Sequence, residues 1–134
     1  MNIRFATIND FNILCEHDKH ITPHELSLSI GSKHIYIAEE NGEFAGWLRY
    51  NLFWDNTPFM NMLYILEYYR GKGYGRQLTV HWEKQMKQNG FSVVMTSTVS
   101  SEFAQHFYNK LGYKAIGGFT LPKDEYEIIM CKEI

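Results

Sequence analysis

The feature that most limits what this chain can become is a turn with almost no side chains in it. Tyr69 to Leu78 reads YRGKGYGRQL, three glycines alternating with cations and a tyrosine. It follows directly on Phe59 to Leu66, a near-continuous apolar run of the kind that forms a buried central strand. After it, Tyr74, Leu78, Trp82 and Met86 recur every four residues, one stripe of an amphipathic helix that Asn89-Gly90 ends. A loop between a buried strand and a helix start points unpaired N–H groups one way, with the positive end of the helix dipole behind them. Glycines let an anion approach that backbone, and Arg70, Lys72 and Arg76 add charge. Two familiar phosphate loops are excluded by spacing. A Walker A loop needs Ser or Thr after its Gly-Lys pair, and none follows Gly73 or Gly75 closely enough. A dinucleotide fingerprint counted from Gly71 needs a glycine where Arg76 stands. An ordinary strand-to-helix turn with surface cations remains open at this level.

The flanking sequence supplies the frame. Ile3 to Thr7 reads as a short strand, Asn9 or Asp10 as the cap of a first helix, and Pro23 as the start of a second that runs to Gly31. His34 to Glu39 alternates as a strand, Asn41-Gly42 is a hairpin turn, and Phe44 to Phe53 is its partner. Asp55-Asn56-Thr57-Pro58 forms a turn cluster before the central strand. Beyond the glycine loop and its helix, Phe91 to Val99 is again strand. Ser100 or Ser101 is then placed to cap a helix whose Phe103, Phe107 and Leu111 share a face, with Gly112 as the stop. Tyr113 to Leu121 and Glu125 to Cys131 are the last strands. This order predicts a mixed α/β sheet, parallel in the middle and antiparallel on either side.

Composition narrows the class. A chain of 134 residues without linkers, repeats or low-complexity tracts is expected to be one domain, residues 1–134. With 45% hydrophobic and 21% charged residues it should be globular. A formal charge of −2 argues against a broad nucleic-acid footprint, so any anion site is local. Cys15 and Cys131 are too few for a disulfide framework, and MNIRFATIND lacks the apolar core of a signal peptide. No run approaches the roughly 18 apolar residues of a membrane span. A cytoplasmic enzyme, monomeric or homodimeric and without membrane or nucleic-acid partners, is the expectation.

Arg70-Gly71-Lys72-Gly73-Tyr74-Gly75 resembles the Gln/Arg-x-x-Gly-x-Gly/Ala motif of the GNAT superfamily of N-acyltransferases. Downstream, Phe107-Tyr108-Asn109-Lys110-Leu111-Gly112-Tyr113 is similar to that family's Phe-Tyr-x-Lys-x-Gly-Phe/Tyr segment. The resemblance covers nearly the whole chain in element order. It implies a mostly antiparallel sheet whose central parallel pair is splayed for coenzyme A, flanked by about four helices. It implies acetyl-coenzyme A as co-substrate, its pyrophosphate on the backbone amides from Gly71 to Arg76 with Arg70 anchoring the turn. It also implies that backbone groups of Leu63, Tyr64 and Ile65 pair with pantetheine. Among these the Ile65 backbone would polarise the thioester carbonyl. Tyr108 falls where family members often carry the general acid for the departing thiolate. Ser101 stands where an asparagine commonly helps to hold coenzyme A, and Thr96 where relatives resembling ribosomal-protein acetyltransferases carry a basic glutamate.

Thr96 cannot take up a proton, so the base is unassigned. Asp55, Glu67, His106 and a water chain to solvent are the alternatives. Without a carboxylate at position 96, activity is expected to climb with pH toward the amine's own pKa. Cys15, His17, Asp18, His20 and His24 crowd into ten residues, but their spacing matches no common zinc motif; polar loop residues or acceptor contacts are expected there, and no metal. The aromatic stretch from Trp47 to Phe59, with Asp55 inside it, suggests a compact pocket for a small primary amine. A protein or peptide N-terminus as acceptor, and a non-catalytic acyl-coenzyme A binding module, are the rival readings.

Overall fold

A computed structural model describes all 134 residues. Seven strands form one sheet: β1 (Asn2–Phe5), β2 (Ile35–Glu40), β3 (Glu43–Phe53), β4 (Thr57–Ile65), β5 (Val93–Val99), β6 (Lys114–Phe119) and β7 (Glu127–Glu133). Their order across the sheet is β1-β2-β3-β4-β5-β7-β6, and only β4 and β5 run parallel. Helices α1 (Phe11–His17) and α2 (Pro23–Gly31) cover one face. On the other face lie α3 (Tyr74–Gln88) and α4 (Ala104–Lys110). This is the mixed, mostly antiparallel architecture expected, with its single parallel pair in the middle.

Local chemistry sets most boundaries. Thr22 caps α2 by accepting from the Glu25 amide, with Pro23 at the first helical position. Asn41 and Gly42, both at positive φ, make the tight β2–β3 turn. The β3–β4 turn differs from expectation. Trp54 and Asp55 carry the positive φ values at its tip, while Thr57 and Pro58 already belong to β4. The cap of α4 also departs from expectation. Phe103 is the N-cap and is 87% exposed, so it does not share the buried face of Phe107 and Leu111. Ser101 cannot cap because its hydroxyl is committed to Glu125 at 2.6 Å, and the Ser100 carbonyl accepts from the Gln105 side chain.

The core is split by the sheet. Leu78, Trp82 and Met86 of α3 are fully buried against Leu48, Met60 and Met130. Leu14, Leu26 and Ile30 pack on Ile35, Ile37 and Trp47 on the opposite face. Leu78 and Met86, each withdrawn entirely from water, contribute on the order of 1.5–3 kcal/mol apiece.

One irregularity in β4 opens the sheet. The β3–β4 register steps from Arg49↔Met62 to Tyr50↔Met60, so Asn61 is an extra, bulged residue. Side-chain parity reverses there: Met60 packs under α3, Met62 toward α1 and α2, and Leu63 under α3 again. Pairing of β4 with β5 is confined to Phe59↔Met95 and Met60↔Thr96, just before the bulge. The Thr96 hydroxyl donates to the Met60 carbonyl at 3.0 Å across that last pair. Past it the two strands part, leaving a gap through the sheet.

Candidate active site in the gap between β4 and β5

The glycine loop lines a small recess of about 200 Å³, together with Ile65, Arg70, Arg76 and Phe107. Gly71 and Gly73 sit at φ 78° and 80°, where an L side chain would be strained. Gly73 is the N-cap of α3 and offers no side chain to its amides, so the first-turn N–H groups stay available to an anion. A Cβ on Gly75 would stand 3.6 Å from the Phe107 ring, an ordinary contact, so alanine would fit. Arg70 does anchor the turn: its Nε donates to the Ile65 carbonyl at 2.8 Å and its guanidinium lies 4.9 Å from the Tyr64 ring. Two tyrosines brace the loop from outside. Tyr69 donates to Glu43 at 3.2 Å and Tyr74 to Glu40, the carboxylates on either side of the β2–β3 turn.

Along β4, backbone groups alternate between the β3 side and the open side. The Leu66 amide donates to the Ala45 carbonyl of the β3 side at 2.8 Å, so Tyr64, two residues earlier, also faces β3. Leu63 therefore presents its N–H and C=O to the gap and Ile65 its N–H, the Ile65 carbonyl being taken by Arg70. This corrects the expectation for Tyr64, whose backbone is committed to β3. Its side chain instead packs 5.2 Å from Trp47 on the α1–α2 face. Gly46 makes this close approach possible, since a Cβ there would meet the Tyr64 carbonyl oxygen at 2.4 Å.

The gap itself widens into a cavity of about 710 Å³, lined by Met60 to Leu63, Thr96 to Val99, Tyr108, His20 and the connection from β6 to β7. It has two sides. On the α3–α4 side stand Thr96, Thr98 and Tyr108. The Tyr108 phenol is pushed up to about 12, chiefly by burial, with the Glu102 carboxylate adding to the rise and the Thr96 hydroxyl opposing it. The Thr98 hydroxyl is buried without a protein partner. On the α1–α2 side, Ser97 Oγ donates to Glu127 Oε2 at 2.8 Å. Glu102, which precedes α4, and Asp124 and Glu125 on the β6–β7 connection also line the cavity, an acidic set relieved by Lys123.

His20 reaches the cavity because Asp18 holds the loop between α1 and α2. The Asp18 carboxylate is buried and accepts from Arg49 Nε at 2.9 Å, Trp47 Nε1 at 3.2 Å and the His20 amide at 3.1 Å. Of the remaining residues in that cluster, His17 stacks on Phe44, and no three His, Cys, Asp or Glu side chains are placed to hold a metal.

The structure thus brings together Leu63, Ile65, the 70–76 loop and Tyr108. Ser101 lies outside both recesses, its hydroxyl bound to exposed Glu125. Asp55, at the exposed β3–β4 tip, and Glu67 and His106, both exposed, do not line the cavity either. Nor does the Trp47–Phe59 stretch frame it: Trp47 is core and Trp54 is 80% exposed. Sequence reasoning missed Ser97, Glu102, Asp124, Glu125 and Glu127. One signal was available, since Glu127 directly precedes the apolar run IIMC of its strand, on the same face as Ile129 and Cys131.

A family model described as the acetyltransferase (GNAT) family matches residues 5–113. No curated protein matches the sequence. Among solved structures, the ribosomal-protein-S18-alanine N-acetyltransferase of Escherichia coli superposes with a TM-score of 0.82 at 16% identity, covering 99% of this chain and 93% of that one. Ard1 of Thermoplasma volcanium gives 0.85 at 12% identity, covering 99% and 97%. The yncA protein of Salmonella typhimurium, solved with its cofactor acetyl-CoA, gives 0.80 at 18% identity, covering 99% and 93%.

Proposed function

The chain belongs to the GNAT family of acetyltransferases, and from that premise we propose that it transfers the acetyl group of acetyl-CoA to the primary amine of a small cationic acceptor. Attack is direct, in a ternary complex. The observation that carries this is the two-sided cavity, acidic on its α1–α2 side and backed on the other by a buried, protonated phenol.

The amides from Gly71 to Arg76 hold the pyrophosphate at the start of α3, with Lys72 and Arg76 supplying charge. Leu63 and Ile65 pair with the pantetheine arm along the open edge of β4. The Ile65 N–H points at the thioester carbonyl, where a fixed donor in a dry site lowers the barrier by about 3 kcal/mol. Thr98, buried and unpartnered, offers a further hydroxyl to the arm. Tyr108 donates its proton to the departing thiolate. Burial that raises the phenol also raises a thiolate placed beside it, so the two stay matched although their ordinary values differ by about 1.5 units.

The acidic lining favours a cationic acceptor, attracting the ammonium form that dominates at neutral pH. The likeness to a ribosomal-protein alanine acetyltransferase favours a second reading, a peptide N-terminus, which carries the same group. A non-catalytic binding role would leave Tyr108 to packing alone, against Phe107 and Tyr113. Two unpaired cysteines suit the cytoplasm. The test is free thiol released from acetyl-CoA against a panel of amines, polyamines and peptides. Turnover with small amines supports the proposal. Efficient acetylation of a folded protein, with small amines ignored, overturns the small-molecule acceptor, and tight coenzyme A binding with no turnover overturns the enzyme.

A further inference from the structure

The geometry points to Glu127 as the catalytic base, held in place by Ser97; this rests on the amine-acetylation reading above. The position where the resemblance implies a basic glutamate is filled by Thr96, whose hydroxyl is spent on the Met60 carbonyl, so this residue of β5 supplies no base. Glu127 stands on the neighbouring strand. It pairs with Val99 of β5 on one side and Phe119 of β6 on the other, so its backbone is fixed by two ladders. Residues opposite each other in such a ladder share a face, and this puts Glu127 with Ser97 and Val99 on the α1–α2 side of the sheet. Tyr108 lies on the other side, packed in the core under α3.

That division suits the chemistry. In acyl transfer the attacking nitrogen and the departing sulfur become separate substituents of one tetrahedral carbon, so a base at the nitrogen and an acid at the sulfur can act from different sides of the sheet. Glu127 takes one proton from the bound ammonium through Oε1, while Ser97 occupies Oε2. The freed amine attacks the carbonyl carbon, forming the N–C bond as the C–S bond breaks. The sulfur takes the Tyr108 proton, and the nitrogen loses its second proton, which returns to the phenolate through solvent. Glu127 releases the first proton to bulk water. The products are the amide, free thiol and one proton.

Other carboxylates in the cavity are less suited. Asp124 and Glu125 are exposed on the β6–β7 connection, Glu125 being tied to Ser101, and Glu102 precedes α4. Besides these, the charged and titratable groups facing Glu127 are Lys123 from the same connection and His20 from the α1–α2 loop.

The test is thiol release with an alkylamine of pKa about 10, measured as kcat/KM from pH 6.5 to 9.5 in wild type, Glu127→Gln, Glu127→Asp and Ser97→Ala. Wild type should be level across that range, because the bound ammonium hands its proton to the carboxylate. Glu127→Gln should lose roughly a hundredfold to ten-thousandfold at neutral pH and rise tenfold per pH unit, since only free amine then reacts. Its coenzyme A affinity should match wild type, which excludes misfolding. Glu127→Asp should recover the level profile with part of the rate. Ser97→Ala, a positioning change, should keep the profile and lose several-fold. A Glu127→Gln variant with wild-type rate and profile, or a wild type that itself rises tenfold per unit, overturns Glu127 as base while leaving the amine reading intact. A wild type that releases thiol with no amine overturns both.

Discussion

The two sides of the cavity are built by different means. The donor side comes almost entirely from one continuous segment: residues 63–78 supply the open strand edge, the anion loop and the helix start, and α4 adds Tyr108. On the proposed reading its chemistry is done mainly by backbone. The side proposed for the acceptor is assembled from the α1–α2 loop, β5, the β6–β7 connection and β7, and on that reading its chemistry is done by side chains. A site made of backbone leaves its mark as glycine spacing, whereas a site made of side chains becomes visible only once the topology is known.

The largest effect that should separate the two sides is Gly73→Glu. It places a carboxylate, on a residue held at positive φ, where the phosphate should sit. Coenzyme A binding measured by calorimetry should vanish, with the fold retained; normal binding would remove the pyrophosphate from this loop. Asp18→Asn is the matching blow to the acceptor side. It leaves buried Arg49 without its counter-charge, which should cost about 3–5 kcal/mol of stability in denaturant unfolding and raise KM for the amine through a loosened His20 loop. Coenzyme A affinity should hardly change, and a parallel loss of both affinities would mean that the sides are not separable.

Tyr108→Phe should lower kcat by roughly tenfold to a thousandfold with donor affinity nearly unchanged, the pattern of a group acting in the transition state. An unchanged kcat, with chemistry shown to limit the rate, would reduce Tyr108 to packing. The smallest effect belongs to Gly75→Ala. Its backbone is unstrained and the added methyl only touches Phe107, so coenzyme A affinity should shift by less than about threefold. A large loss there would show that the loop tolerates less than its geometry implies.

What could be read in advance follows the same division. The Asn41-Gly42 turn, the stripe on α3 and the loop that precedes it rest on local rules, and the structure carries them where expected. Tyr108 stands out in the sequence through its neighbours in FYNKLGY, and it lines the cavity. The bulge at Asn61 was not legible, because it arises from the register between β3 and β4 and no glycine or proline marks it. Nor was the role of Ser101, whose hydroxyl answers to Glu125, 24 residues away, instead of to its own helix. Asp55, Glu67 and His106, the candidate bases in the sequence, do not line the cavity. Glu127 lies near in space only because β7 inserts between β5 and β6.

The most direct test of the two-sided site is a crystal structure of the protein with coenzyme A and an unreactive analogue of an accepted amine. The pyrophosphate oxygens should lie on the amides from Gly71 to Arg76, and the thiol should be within hydrogen-bond reach of the Tyr108 hydroxyl. The analogue's polar head should stand across the gap, beside Glu127. A pyrophosphate bound away from the glycine loop, or thiol and amine on the same face of the sheet, would contradict the account.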